Sequence, residues 1–541
     1  MSSLVIVQGL VVLIGILLYH LFFRKKSELL PLPPGPKPLP LLGNVRDVPP
    51  PHIPEFQHWL LFKDKYGPIS SVTLQGKAMV IIHDKDVAAE LLDKTSLKIS
   101  SRPQFHFANM CGYDNMMTLM DYTDLFRRHR KFIHQQLGTK ALVSRFNNVQ
   151  DLESKRYLMR VMKNPGNLFQ HIRTEAGAII LKIIYDYTIE PSGFDPLVRL
   201  IEDVMTNFSH VMIPFTWMVD IFPALKYLPD WFPGTGFKKT AREWKAITEA
   251  SAYIPYDFVK KQMNKGTYQP SYVSELVEAY GTGNAMEIDD ESKEVIAWTA
   301  EMIFAGASDT TVSTLMAFVM AMILYPNVQQ RAQEEIDRVV GPDRLPGFED
   351  RINLPYVNAL IKEMLRWYPI VPVTTAHKSD SEVFLRGYRI PKGSYALVNV
   401  WWLTHDPKTY PDPMVLDPDR FLEPRNEPDP AGIFGYGRRA CPGRLFAQEN
   451  LFITISRTLA AFKISNAVDG SGKPIDVHVR HTPGLIDHPE EFPYSIVPRN
   501  EKYAEMIQEL ERVHPWEESS AGSLEWGAFD RYKKEWNSEA K

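Results

Sequence analysis

The sequence predicts a mainly α fold with small β-sheets, of the α+β class, built as one large domain behind a single N-terminal transmembrane helix. Three observations lead there. The first 23 residues contain no Asp, Glu, Lys or Arg. Residues 120–340 carry a mainly helical pattern. Strand-like alternation is confined to residues 69–75 and 78–83 and to short stretches of the proline-punctuated segment 369–424. With 541 residues, 44% of them hydrophobic, the chain can bury a large core. A net charge of −4 gives no reason to expect nucleic acid as a partner. The two cysteines, Cys111 and Cys441, make no disulfide framework and fit a reducing cytosolic environment.

The elements follow in chain order. Leu4 to Phe23 is long enough to cross a bilayer core, which takes ~20 apolar residues. Arg24, Lys25 and Lys26 follow at once and place the C-terminal side in the cytosol. A cleaved signal peptide fits less well, because no basic stretch precedes the apolar run and no small-residue cleavage site follows it. Residues 24–44 form a basic stop and a stiff proline-rich hinge, Pro31 to Pro40. The main domain spans 45–500. It opens with a hairpin around Gly76-Lys77 and a helix near 84–93. Residues 205–235, rich in aromatics and prolines, read as helix packing and as a mobile apolar lid. Asp289, Asp290 and Glu291 begin a helix that runs to Tyr325 and stops at Pro326, a length of about 50 Å. Residues 355–368 form a helix ended by Pro369, and residues 443–463 form another. Residues 501–541 are charged, carry Trp516, Trp526 and Trp536, and read as a peripheral tail.

The most specific motif is Phe434-Gly-Tyr-Gly437-Arg-Arg439-Ala-Cys441-Pro-Gly443. A cysteine stands in a glycine-rich, arginine-bearing loop directly before a helix. Helix N-terminal N–H groups favour a thiolate, and Pro442 suits a first helical position. This spacing resembles the haem-thiolate signature of the cytochrome P-450 superfamily. The resemblance covers roughly residues 31–498. It implies a haem-thiolate monooxygenase fold with Cys441 as the axial ligand of haem b iron. It gives Phe434 the task of covering the sulfur, and Gly437 and Gly443 that of letting the backbone approach the ring. It makes Arg439, Arg130 and His377 partners of the haem propionates.

Three further segments fall in the family's order. Gly306-Ala-Ser-Asp309-Thr310-Thr311 resembles the oxygen-activation motif. There Thr310 hydrogen-bonds the oxygen being activated and Asp309 relays protons. Ala307 stands where the family often has glycine. Glu363-Met-Leu-Arg366 and Pro418-Asp-Arg420-Phe421 resemble the family's bracing triad, so Glu363, Arg366 and Arg420 are structural support. Asp124 to Lys131 resembles a helix that usually carries Trp where Phe126 stands, so one propionate hydrogen bond should be missing.

The resemblance also implies partners. Electrons come from NADPH through a flavoprotein reductase, steered by Arg127, Arg128, Arg130, Lys131, Arg438 and Arg444. O2 and a lipophilic small molecule are the substrates, met near Phe105, Phe107 and Met110, the 205–235 lid, the 301–310 helix face, Val373 to Thr375, and Leu485-Ile486. The chain is similar to microsomal class II fungal members that act in polyketide, terpenoid or indole-alkaloid pathways. The implied reaction is hydroxylation or multi-step oxidation of a C–H bond at the endoplasmic reticulum membrane. Two alternatives stay open. One is a haem-thiolate isomerase or dehydratase that needs no O2, although such relatives tend to lose the acid–threonine pair. The other is an oxygenase that detoxifies xenobiotics.

Overall fold

The computed structural model describes residues 30–530, except 41, 75, 192, 194, 214–215 and 283–286, together with residue 15. The expected span at 4–23 (residue 15 apart) and its basic flank at 24–26 lie outside the described residues, as does Trp536. After a helix over Glu55–Tyr66 the chain forms β1 (Ile69–Leu74) and β2 (Lys77–Ile82), paired antiparallel with Ile69 opposite Ile82. Gly76, at φ +75°, supplies the left-handed turn between them. Five long helices follow, with shorter ones between them: α1 (Asp124–Leu137), α2 (Asn147–Lys163), α3 (Leu168–Tyr185), α4 (Pro196–Met212) and α5 (Gly236–Lys265).

The axis of the domain is α6 (Asp290–Leu324). Asp289 caps it by accepting the Ser292 N–H at 2.8 Å, and Asp290 and Glu291 sit at the positive end of its dipole. Pro326 begins the next helix, so α6 cannot continue through it. By length and hydropathy α6 could cross a membrane, but 78% of its most apolar window is buried inside the protein, so it is a core helix. Its first half (Val295, Ala300, Phe304) shares a buried cluster with Ile180 and Ile184 of α3. Its second half (Leu315, Val319, Ile323) belongs to another, with α7 (Pro355–Trp367) and the later helix α8 (Arg444–Ala461).

Between α7 and α8 come β3 (His377–Lys378) and β4 (Tyr395–Val398). They complete a sheet of order β1-β2-β4-β3, in which β4 lies parallel to β2 and antiparallel to β3. A short helix, Val400–His405, lies in the segment expected to hold only loops and strands; Asn399 caps it through the Trp402 N–H. Helix α8 runs straight into β5 (Phe462–Ser465), which pairs with β6 (Ser495–Pro498).

The segment expected as a peripheral tail is docked over its described part. It starts with α9 (Glu501–Val513), which buries Tyr503 and Ile507 four residues apart on one face. Arg156 of α2 holds it farther on, donating to Pro515 O at 3.3 Å and to Glu517 Oε1 at 3.1 Å. Leu524 and Trp526 are buried in the same cluster as the first half of α6.

Two interior carboxyls give the fold a pH dependence. Burial pushes Glu175 of α3 and Glu301 of α6 up to about 8 each, against one hydroxyl donor apiece: Thr454 at 2.6 Å and Ser251 at 3.3 Å. Both are protonated in the fold at neutral pH, whereas the unfolded chain releases those protons above the ordinary carboxylate range. Their contribution is therefore complete below that range and is lost as pH rises through about 8. Thermal unfolding should show the melting temperature falling from about pH 5 to about pH 8. Glu175→Gln and Glu301→Gln together should flatten that slope. An unchanged slope in the double variant would contradict the assignment.

Candidate active site

A cavity of about 330 Å³ lies between α6 and the loop before α8. Helix α6 presents Met302, Ile303, Gly306, Ala307 and Thr310 to it, and the loop presents Phe434, Gly435, Cys441, Pro442 and Gly443. Apolar side chains from distant segments close the rest, among them Met117, Ile133, Met205, Phe208, Leu485 and Ile486.

The Cys441 N–H donates to the Phe434 carbonyl at 2.7 Å, which closes the loop and turns the thiol into the cavity. Burial pushes the thiol up, while the N–H groups of Gly443 and Arg444 and the guanidiniums of Arg130 and Arg444 pull it down. Burial prevails, so these groups lessen the cost of a thiolate without supplying it; a metal cation at the sulfur would complete the change. Helix α8 starts at Arg444 with Gly443 as its cap, so Pro442 precedes the helix and does not hold its first position.

Of the two glycines expected to let the backbone approach the ring, Gly437 does different work. Gly437 does not line the cavity. It sits at φ +52°, donates its N–H to Asp93 at 2.6 Å, and has no room for a Cβ, which would lie 2.3 Å from the Leu92 carbonyl oxygen. Its lack of a side chain serves the docking of the loop on residues 90–94. Gly443 does line the cavity, beside the sulfur, and a Cβ there would stand 3.9 Å from Sγ.

Arg130, His377 and Arg439, the expected propionate partners, all line the cavity, and Arg102 joins them. Arg102 donates to the carbonyls of Thr118, Thr375 and Ala376; Arg439 donates to Ser100, Met117 and Met120. Arg130 has no carboxylate partner among the described residues. Burial lowers Arg130 and Arg102, and Arg439 comes down to about 10. His377 Nδ1 donates to Ile99 O at 3.0 Å, so Nε2 remains for the cavity, and burial with Arg102 holds the ring neutral. Two arginines bonded to carbonyls and a third, Arg130, beside an apolar slot with a cysteine in its wall, fit a flat apolar ring that carries carboxylates and a thiolate-binding metal. Phe126, in place of the usual Trp, offers no N–H. Its ring instead carries the Arg439 guanidinium at 3.9 Å from its centre. The sequence reading missed Arg102. Its only local signal was a lone arginine before Pro103, because its neighbours come from segments far along the chain.

Thr310 lines the cavity, and its hydroxyl donates to the Gly306 carbonyl at 2.7 Å. Its hydrogen is therefore spent on the helix, and its lone pairs face the cavity as acceptors. Asp309 does not line the cavity. Its Oδ2 accepts from His488 Nε2 at 3.1 Å, from a loop beyond α8. His488 is the second residue missed from sequence.

Glu363, Arg366 and Arg420 come together with side chains no more than 1% exposed. Arg366 holds Glu363 with two bonds of 2.7 Å, and Arg420 reaches Glu363 Oε1 at 3.3 Å. Glu363 also accepts the Asp417 N–H at 2.8 Å. The other bonds of the two guanidiniums go to the carbonyls of Thr404, Pro411, Asp412, Pro413 and Val415 and, from Arg420, to the Glu427 carboxylate at 3.3 Å. The triad thus pins residues 404–427, the approach to the cysteine loop, and does not touch residues 434–443 themselves.

Other expectations divide. Met205, Phe208, the α6 face, Thr374, Thr375, Leu485 and Ile486 line the cavity, but Phe105, Phe107, Met110 and Val373 do not. Phe107 instead stacks on Trp217 with ring centres 3.5 Å apart. Of the basic patch, Arg127 pairs with Asp124, Arg128 pairs with Glu291 at 2.5 Å, and Arg130 faces the cavity. Lys131, Arg438 and Arg444 stay exposed.

Comparison with known proteins places these features in a wider set. The family model described as Cytochrome P450 matches residues 33–491. The chain is 49% identical to Cytochrome P450 monooxygenase CLM2 of Gibberella zeae over 95% of this chain and 98% of that protein. It is 46% identical to Multifunctional cytochrome P450 monooxygenase af510 of Aspergillus fumigatus over 93% and 95% of the two chains. Among solved structures, a zebra fish cytochrome P450 with progesterone shares the fold, with a TM-score of 0.67 and 24% identity over 83% of this chain and all of that one.

Proposed function

Because the chain belongs to the cytochrome P450 family, we propose that it oxidises a lipophilic small molecule of a fungal secondary-metabolite pathway while anchored to the endoplasmic reticulum membrane. The activity itself is that of the family: a haem-dependent monooxygenase that uses NADPH and O2, with haem b as cofactor and a flavoprotein reductase as electron source. The observation that carries the reading is the single cavity with Cys441 in one wall and Thr310 in the other. Cys441 would bind the haem iron, while Arg102, Arg130 and Arg439 would hold the propionates; His377, neutral and with its Nδ1 hydrogen given to Ile99 O, has no donor left for a carboxylate. Haem held by the Cys441 thiolate would supply reductive activation of O2.

The chain's own residues do the rest. Thr310 holds a water or hydroxyl at the α6 wall through its free lone pairs. Asp309, the neighbouring acid, supplies protons there once it turns inward. Apolar side chains exclude bulk water and select a lipophilic substrate. Lys131, Arg438 and Arg444 remain to steer an acidic reductase. The apolar span at 4–23 with its basic flank supports the anchor and a cytosolic domain. Met218, Phe222, Tyr227, Trp231 and Phe232 stand exposed, Trp231 at 81%, which supports the lid dipping into the bilayer.

The test is Thr310→Ala. With reductase and NADPH, it should release hydrogen peroxide at the expense of product and cut product per NADPH by about tenfold or more, at the low end of general-acid effects. Coupling equal to that of the unmodified protein would remove Thr310 from the mechanism.

A further inference from the structure

Asp309 presents a conflict that the loop opposite it resolves. It neighbours Thr310 on α6, yet its carboxylate is turned away from the cavity and bonded to His488 Nε2 at 3.1 Å. His488 is partly exposed, with its side chain at 31%. The loop that carries it is built as one unit. Thr482 Oγ1 donates to the His488 carbonyl at 3.2 Å and accepts the His488 N–H at 3.0 Å. Asp487 accepts from Tyr368 at 3.0 Å and from the Thr482 N–H at 2.8 Å, and its carbonyl accepts from Ser313 of α6 at 2.6 Å. Within the same turn, Leu485 and Ile486 form cavity wall.

We propose that His488 is a positioning residue, a latch that keeps Asp309 turned out of the cavity. Its loop opens the latch when something bulky presses on Leu485 and Ile486. This rests on the reading of Asp309 as the proton-supplying neighbour of Thr310. A hydrogen bond to a charged group biases a two-position side chain by about tenfold or more. That is enough to keep the acid out of an empty cavity and few enough contacts for a substrate to overcome.

The latch has a measurable consequence. Two electrons and two protons reduce O2 to hydrogen peroxide and consume one NADPH; four of each reduce it to two waters and consume two NADPH. Protons delivered inside the cavity shift the outcome from peroxide to water. With no substrate added, the full-length haem-loaded protein with reductase and NADPH should release peroxide. His488→Ala should lower peroxide per NADPH by about threefold, less than the full bias of the bond. His488→Gln keeps a donor near Nε2 and should behave like the unmodified protein. Asp309→Asn combined with His488→Ala should restore the leak, because the released acid is then missing. Ile486→Trp, which presses on the loop from the cavity side, should copy His488→Ala.

An unchanged peroxide yield in His488→Ala, or a Gln variant that matches Ala, would each overturn the latch. A His488→Ala effect that persists without Asp309 would also overturn it. Thr310→Ala, run alongside, separates the two claims. If that variant fails to change peroxide yield, the oxygen-motif reading falls; a silent His488→Ala beside an active Thr310→Ala removes only the latch.

Discussion

Cys441→Ala should leave a folded chain with no sulfur-ligated haem, and oxygenation should fall by at least about a thousandfold, as for loss of an obligatory group. The reason is geometric. Cys441 puts the cavity's one thiol on the wall opposite Thr310, among the described residues. Residues 432–447, which form that wall, contain no other cysteine and no methionine or histidine. Cys111 cannot substitute: it is fully buried outside the cavity lining, and its thiol is pushed up to about 12 by burial. Cys111→Ala should therefore leave the absorption spectrum unchanged. A Cys441→Ala protein with the absorption spectrum of the unmodified protein would refute the assignment.

Arg366→Ala should be nearly as damaging by another route. The change leaves Glu363 buried with only Arg420 and one backbone N–H, and it takes the Arg366 donor from the carbonyls of Thr404 and Pro413, while Val415 keeps Arg420. Breaking a buried ion pair in this way costs about 3–5 kcal/mol. Urea unfolding of the haem-loaded protein should show a loss of that size. Arg366→Lys should recover little of it, since an ammonium cannot span both Glu363 oxygens and the carbonyls together. Whatever fraction folds should keep the normal spectrum, because the triad never touches residues 434–443. Stability within about 1 kcal/mol of the unmodified protein, the scale of an exposed pair, would contradict the bracing role.

The parts legible in the sequence were those whose chemistry is contiguous. Cys441, Phe434, Gly443 and Arg439 lie within ten residues and share the cavity. Helix α6 announced itself through the acidic Asp289, Asp290 and Glu291 at its start and Pro326 as stop, and the hairpin through its alternation about Gly76. Arg102 and His488 were not legible, because each acquires its meaning from a partner hundreds of residues away or across α6: Thr375 for Arg102, Asp309 for His488. Gly437 was assigned to the right loop and the wrong neighbour, since nothing local says that Leu92 packs against it. The docked segment after residue 500 was masked by its charge. Tyr503 and Ile507 are too few to set a hydrophobic average, yet they sit on one helical face and bury it.

Three arginines and an apolar slot surround the thiol of Cys441, which fits a flat apolar ring that carries carboxylates and a metal. The most direct test is the absorption spectrum of the purified, reduced full-length protein under carbon monoxide. The account predicts a strongly red-shifted Soret band, the mark of haem held by cysteinate. A band at the position of histidine- or thiol-ligated haem, or no haem at all, would contradict it.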